Sequence, residues 1–293
     1  MSDFFTPDIP ADDSTVYHVG ISGGKDSTAV LLWLVHESGV PKHRINATFC
    51  DTGNEHEWTY AQVDLLSRQV HPIETLKPDL GFFDLAFKKK RFPSSRRRFC
   101  TQHLKIYPTQ DHVQYLQKAY KTVVAVSGVR ADESEERSTH LEWDYSGELL
   151  TIQWRPLIRW TLKDVLAIHE RYNVPLNPLY GIGAQRVGCF PCIMSRKAEI
   201  RLIAQKFPER IAMIRQAEQR FEREYGRYSS FFARNAVPER FRSKVYITPA
   251  GESMNVATID DVVQWSMTGK RAQGLWTDEP EEKTISCSTG FCE

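Results

Sequence analysis

The stretch "VGISGGKDSTAVLL", Val19 to Leu32, reads as a short strand, a loop of small residues and the first turns of an apolar helix. A chain turning between such elements presents the unpaired backbone N–H groups of the helix start to an anion. Gly23 and Gly24 let the backbone approach a phosphate closely. Lys25 adds a point charge, and Ser22 and Ser27 add hydroxyls. The spacing is not G-x-x-x-x-G-K-[ST], so this is not an ordinary Walker loop. Asp26 is the puzzle, because it would repel a phosphate unless a cation or a directed hydrogen bond intervenes. The plain alternative is a tight turn with a solvated lysine.

Outward from this loop, strands and helices alternate. Val16 to Ile21, Ile45 to Cys50 and Val123 to Ser127 read as strands. Helices are expected over Ser27–Glu37, Trp58–Val70, after Pro108, and over Leu162–Tyr172 with Thr161 as N-cap. Further helices are expected at Ala198–Phe207, Glu209–Tyr225 and Ile259–Met267. The alternation predicts an open parallel sheet with helices on both faces. A drift toward helix and loop near residue 185 predicts an α/β domain over 1–185. A smaller, mainly helical C-terminal subdomain over 186–293 would carry a cysteine loop and a flexible tail.

The 293 residues are 41% hydrophobic, ordinary for a chain with a real core. A net charge of +1 excludes a whole-surface trap for nucleic acid, so any basic contact must be local. The longest apolar runs fall well short of the ~18 residues of a membrane span. The start "MSDFFTPDIPADDSTV" is acidic with two prolines and reads as no signal peptide. No membrane association is expected, and the expected compartment is cytoplasmic. There, six cysteines suggest metal or redox chemistry before disulfides.

"SGGKDS" resembles the pyrophosphate-binding loop (PP-loop) of the adenine-nucleotide alpha-hydrolase superfamily, whose members cleave ATP between the α and β phosphates. "DTGNEHEWTYAQV" and "SGVRADESEERS" resemble segments of the phosphoadenosine phosphosulfate (PAPS) reductase family. With "RFCT" and "GCFPC", the resemblance spans roughly residues 16–195. It implies a HUP/PP-loop fold, with Ser22, Gly23, Gly24, Lys25, Asp26 and Ser27 holding phosphates. It places Asp51 near the nucleoside and has Gly128 and Arg130 close the site. ATP and Mg²⁺ are the implied cofactors. Lys25 and Asp26 are expected in catalysis, and Asp51, Glu55 or Asp26 would help hold Mg²⁺. All three segments follow predicted strands and would gather at one carboxyl edge, where Arg130 can fork onto phosphate oxygens. A turn or helix cap is the alternative for Asp51, and a solvated helix start for Arg130.

Cys189 and Cys192 form a C-x-x-C, a spacing that lets two sulfurs meet one metal or cluster. The family's iron–sulfur members draw ligands from this loop and from the segment of Cys100. Phe99 stands where adenylylsulfate reductases carry the first of paired cysteines. A [4Fe-4S] cluster on Cys100, Cys189 and Cys192, with Cys287 or an open iron as the fourth position, is the favoured expectation, and Zn²⁺ the alternative. Cys292 is expected as a sulfur-carrying nucleophile on the tail, against the plain reading of two exposed thiols. Cys50, inside a strand, reads as a small buried apolar residue.

Lys88, Lys89, Lys90, Arg91, Arg96, Arg97 and Arg98 crowd around Phe92 and Phe99. A solvated loop is the plain reading; Arg96, Arg97 and Arg98 as nucleic-acid or anion contacts is the functional one. The leading expectation is an ATP pyrophosphatase that adenylates an acceptor for sulfur incorporation. In this family that describes nucleic-acid thiolation, including the sulfur-activating subunits of DNA phosphorothioation systems. The expected partners are a cysteine desulfurase or other sulfur donor, and DNA or tRNA presented by partner subunits. The alternatives are a PAPS or adenylylsulfate reductase releasing sulfite, and a non-catalytic nucleotide sensor or scaffold.

Overall fold

The protein is described by a computed structural model over residues 12–232, 237–247 and 251–268. β1 (Thr15–Ile21) is buried along nearly its whole length, the mark of a central strand covered on both faces. It pairs in parallel with β2 (Ile45–Cys50) on one side and β4 (Thr122–Val126) on the other. β3 (Ile73–Leu76) extends the sheet beyond β2, while β5 (Trp143–Ser146) and β6 (Thr151–Trp154) extend it beyond β4. The order is β3-β2-β1-β4-β6-β5, with only the edge strand β5 antiparallel. The chain reverses its direction of travel across the sheet between β1 and β4. That switch point opens a crevice at the carboxyl ends of the strands.

α1 (Lys25–His36) is apolar around most of its circumference and lies buried between the sheet and the helix Leu162–Arg171. Thr161 caps the latter in a reciprocal box, its hydroxyl accepting from the Asp164 N–H while the Asp164 carboxylate accepts from the Thr161 N–H at 2.8 Å. α2 (Glu57–Gln69) packs beside β3. No helix among the described residues is long and apolar enough to cross a membrane.

Two structural findings differ from the sequence expectations. The helix expected after Pro108 begins earlier: a helical run extends from Phe99 through Leu116, with a π-turn at Gln102–Ile106. Pro108 cannot donate to the carbonyl four residues back. The run accommodates it by widening just before, where the Tyr107 N–H reaches the Gln102 carbonyl. The expected boundary at residue 185 does not divide the packing. The second core joins Phe82, Leu85, Phe92 and Leu104 to Ile203, Ile214 and Phe221 of the later helices Lys197–Lys206 and Pro208–Tyr225. The short helix α3 (Phe82–Lys88) thus belongs with the C-terminal half. Phe92 is 4% exposed and is a core residue, not an aromatic displayed among the basic side chains.

Candidate active site

The segment from Ser22 to Ser27 leaves β1 at the switch point, and its last three residues form the first turn of α1. It is tied internally by hydroxyls. The Ser22 N–H donates to Ser27 Oγ at 3.2 Å, the Gly24 N–H donates to Ser22 Oγ at 3.2 Å, and Ser27 Oγ donates to the Gly24 carbonyl at 3.1 Å. Gly23 sits at φ +77°, and a side chain there would press on Thr59 at 3.0 Å.

Asp26 is 0% exposed as a residue and turns away from solvent. Its Oδ1 accepts from Arg130 Nε at 2.6 Å, and its Oδ2 lies 2.7 Å from Lys25 Nζ. Burial alone would raise this carboxyl's pKa; the cations Lys25 and Arg130 outweigh it and hold the group below its ordinary range. The cation that the sequence demanded beside Asp26 is therefore supplied twice by the protein. Arg130 is correspondingly committed: its side chain is 4% exposed, and Nη1 reaches Asp132 at 3.1 Å. It braces the loop after β4 against the loop after β1. Gly128 lets these loops meet, since a Cβ there would lie 2.5 Å from the Asp26 carbonyl oxygen.

Three residues without a motif signal hold the first loop from the other side. Tyr180 OH accepts from the Lys25 N–H at 3.1 Å, with the Lys25 ammonium over its ring. Asn177 Nδ2 donates to the Gly23 carbonyl at 3.3 Å, and His169 Nε2 lies 2.8 Å from the Lys25 carbonyl oxygen. Asn177 and Tyr180 share the stretch "NPLYG", where Asn177 also caps a short helix that starts at Pro178, while His169 comes from the helix Leu162–Arg171.

A cleft of about 770 Å³, including its open mouth, lies over the carboxyl ends of β1, β2 and β4. Ser22, Ser27 and Gly128 line it, while Lys25, Asp26, Arg130 and Asp51 stand outside its lining. His18 forms part of the floor, its Nε2 2.9 Å from Thr48 Oγ1; burial, with a smaller push from His112, brings its pKa down to about 3. Cys50, expected as an inert strand residue, also lines the cleft, with Sγ 3.4 Å from Thr109 Oγ1. Lys105 reaches the same wall from the π-turn, a distortion that recurs at functional sites.

The segment after β2 is tied together by its own carboxylates, of which Glu55 also lines the cleft. Glu55 Oε2 accepts from the Thr52 and Asn54 N–H groups and from Tyr60 OH, and Oε1 accepts from Thr52 Oγ1 at 2.6 Å. Asp51 Oδ1 accepts from the Gly53 N–H and from Tyr60 OH at 2.7 Å. These carboxylates organise their own turn. That turn in turn docks the cysteine loop: the Phe190 N–H donates to the Asn54 carbonyl at 2.6 Å, and Asn54 Nδ2 donates to the Pro191 carbonyl at 2.9 Å.

The docking sets Cys189 against Thr52, Sγ to Oγ1 at 3.5 Å, and near Glu55. Burial, opposed by Lys105, pushes the Cys189 thiol up to about 12; Cys100 is raised by burial and then by Cys192. Cys192 stands close enough to act on both other thiols, so the three share one neighbourhood beside the cleft. The donor set is right in kind for a thiolate-held cluster. Among the described residues, no three His, Cys, Asp or Glu side chains converge on a single metal ion. Cys287 and Cys292 lie outside the described residues. Arg96 and Arg97 are exposed at a tight turn closed by paired backbone bonds between Ser94 and Arg97. Arg98 instead folds back onto Thr101 Oγ1 at 3.2 Å, at the start of the helical run that carries Cys100.

The phosphoadenosine phosphosulfate reductase domain family matches residues 17–195. Among full-length relatives, an uncharacterised 37.8 kDa protein of Escherichia phage 186 is 30% identical over 335 residues, covering 96% of this chain and 98% of that protein. An adenosine 5'-phosphosulfate reductase of Bacillus cereus is 24% identical over 168 residues, 56% of this chain and 68% of the reductase. Among solved structures, the phosphoadenylyl-sulfate reductase of Candida auris in a phosphate complex matches at 18% identity with a TM-score of 0.46, over 60% of this chain and 82% of that one.

Proposed function

This chain belongs to the phosphoadenosine phosphosulfate reductase domain family, and from that premise we propose that it is an ATP pyrophosphatase that adenylates an acceptor oxygen for replacement by sulfur. The observation that carries the reading is the intact Ser22–Ser27 loop, braced by Asp26 and Arg130, at a cleft whose other wall adjoins Cys50, Cys100, Cys189 and Cys192. Nucleotide and sulfur chemistry would meet in one place.

In this reading the acceptor oxygen attacks the α-phosphorus of ATP. The bond to the bridging oxygen breaks, and pyrophosphate leaves with the electron pair. A sulfide-level sulfur then attacks the activated acceptor atom, and AMP departs with the oxygen. No net oxidation occurs. The amides of Ser22, Gly24 and Lys25, satisfied by the hydroxyls of Ser27, Ser22 and Tyr180, re-pair with phosphate oxygens. Lys105 adds positive charge on the facing wall. Mg²⁺ would neutralise the departing pyrophosphate, as it usually does through few protein ligands. Cys100, Cys189 and Cys192 would hold a [4Fe-4S] cluster, which when bound supplies iron coordination to sulfur.

The acceptor class we infer is nucleic acid, as in DNA phosphorothioation or tRNA thiolation, with sulfur delivered by a desulfurase-type donor. The similarity to reductases keeps one rival: release of sulfite from PAPS or adenylylsulfate. Anaerobically purified protein incubated with ATP or with PAPS separates the two. AMP and pyrophosphate from ATP, lost in Lys25→Ala, support adenylation; ADP and phosphate, or efficient sulfite from PAPS, overturn it. Iron and acid-labile sulfide, diminished by each of Cys100→Ala, Cys189→Ala and Cys192→Ala, are expected in the same preparation. Stoichiometric zinc in their place would refute the cluster.

A further inference from the structure

The π-turn at Gln102–Ile106 sends neighbouring side chains in two directions. Lys105 lines the cleft, while His103 and Tyr107, one turn apart, meet edge to face with ring centroids 5.1 Å apart. Tyr107 is 39% exposed, large for an aromatic residue with no core to fill. Lys88 and Lys89, exposed at the end of α3, stand close enough to His103 that, after burial, they depress its pKa. Arg91 continues the same charge. Its guanidinium lies over the Phe99 ring at 5.8 Å, and Arg97 and Arg227 both act on it as like charges. Arg227 is anchored to this segment by donating from Nη2 to the Lys90 carbonyl at 2.6 Å. The acid on α3, Asp84, acts instead on Arg220. A band of cations thus borders an aromatic pair made of exposed Tyr107 and half-buried His103, and the helix carrying that pair also forms a wall of the cleft.

From this juxtaposition we propose that the surface made by His103, Tyr107, Lys88, Lys89, Arg91 and Arg97 binds single-stranded nucleic acid and leads its unpaired nucleotide toward Lys105. The cations take the phosphates and the ring pair takes a base. A duplex offers phosphates but keeps its base faces stacked inside, so it cannot use the aromatic pair. A reacting nucleotide must also leave a duplex to enter a recess. The inference rests on the adenylation reading for its purpose, but the surface itself is tested without ATP.

The experiment is fluorescence anisotropy of the full chain, at low salt and without nucleotide, with a labelled twelve-residue oligothymidylate, its RNA counterpart and a duplex of equal length. A single strand of either sugar should bind more tightly than the duplex. Tyr107→Ala should weaken that binding about five- to a hundredfold, the range of one lost base stack, and Tyr107→Phe should keep most of it. Lys88→Gln with Lys89→Gln should flatten the log–log salt dependence by about 0.7 for each phosphate no longer neutralised. Duplex binding as tight as single-strand binding, or Tyr107→Ala binding like the parent, would overturn the proposal. Absence of AMP formation alongside intact, Tyr107-dependent binding would refute the adenylation reading and leave this surface standing.

Discussion

Replacing Asp26 by Asn should damage the protein more than replacing Arg130 by Met, although each breaks the same ion pair. In the parent, one carboxylate lies 2.6 Å from Arg130 Nε and 2.7 Å from Lys25 Nζ, with side chains 1%, 4% and 11% exposed respectively. Removing one partner of a buried pair costs about 3–5 kcal/mol, because a charge is left without compensation. Asp26→Asn takes the nearest carboxylate from two buried cations at once, so its cost belongs at the upper end of that range. Arg130→Met leaves Asp26 still paired with Lys25 and falls at the lower end. The double variant removes one of the two cations that lose Asp26, so it should cost less than the sum by about 1–3 kcal/mol. Urea unfolding at pH 7 of the parent, both single variants and the double variant measures this. The carboxyl is held below its ordinary value of 3.8, so its contribution is complete above that pH. It is lost as acid carries the solution down through the folded value. Asp26→Asn should lack that part of the acid limb. An Asp26→Asn cost under about 1 kcal/mol would refute the clamp, since a breached buried ion pair cannot be that cheap. Strict additivity in the double variant would do the same.

Gly128→Ala should lower thermal stability and abolish nucleotide binding together, because its Cβ would sit 2.5 Å from the Asp26 carbonyl oxygen. Overpacking of this kind costs about 1–3 kcal/mol, and a variant that melts and binds ATP like the parent would show that the two loops need not touch. His18 is buried neutral with a pKa of about 3 against an ordinary 6.5. The unfolded chain therefore binds the extra proton between those values, and stability should fall by a few kcal/mol as pH drops from about 6.5 toward 3. His18→Gln should flatten that part of a urea-midpoint against pH curve; an unchanged slope would place the acid sensitivity elsewhere.

Chemistry local to a few residues is legible in the sequence. β2 reads over the residues it occupies, and the Thr161 cap is visible because its partner Asp164 is three residues away. β3, β5 and β6 escape such reading because they are short, edge-side or half-exposed, and so lack a buried apolar run. The site divides along the same line. The phosphate-loop pattern can be read from glycines, hydroxyls and a following helix, but its supports come from far along the chain: Arg130 from 104 residues beyond Asp26, Tyr180 from 155 beyond Lys25. Cys50 misleads for a related reason, since a strand position says nothing of whether the strand's end faces core or cleft. Asp26 shows the limit most directly. An aspartate in a phosphate loop is a contradiction in local chemistry, and its spacing to Lys25 does not resolve it. It resolves when the loop after β4 folds over the switch point and brings Arg130 to its free side, with Gly128 giving the backbone room to close. Asp26 is the buried counter-ion on which the positions of Lys25 and Arg130 depend.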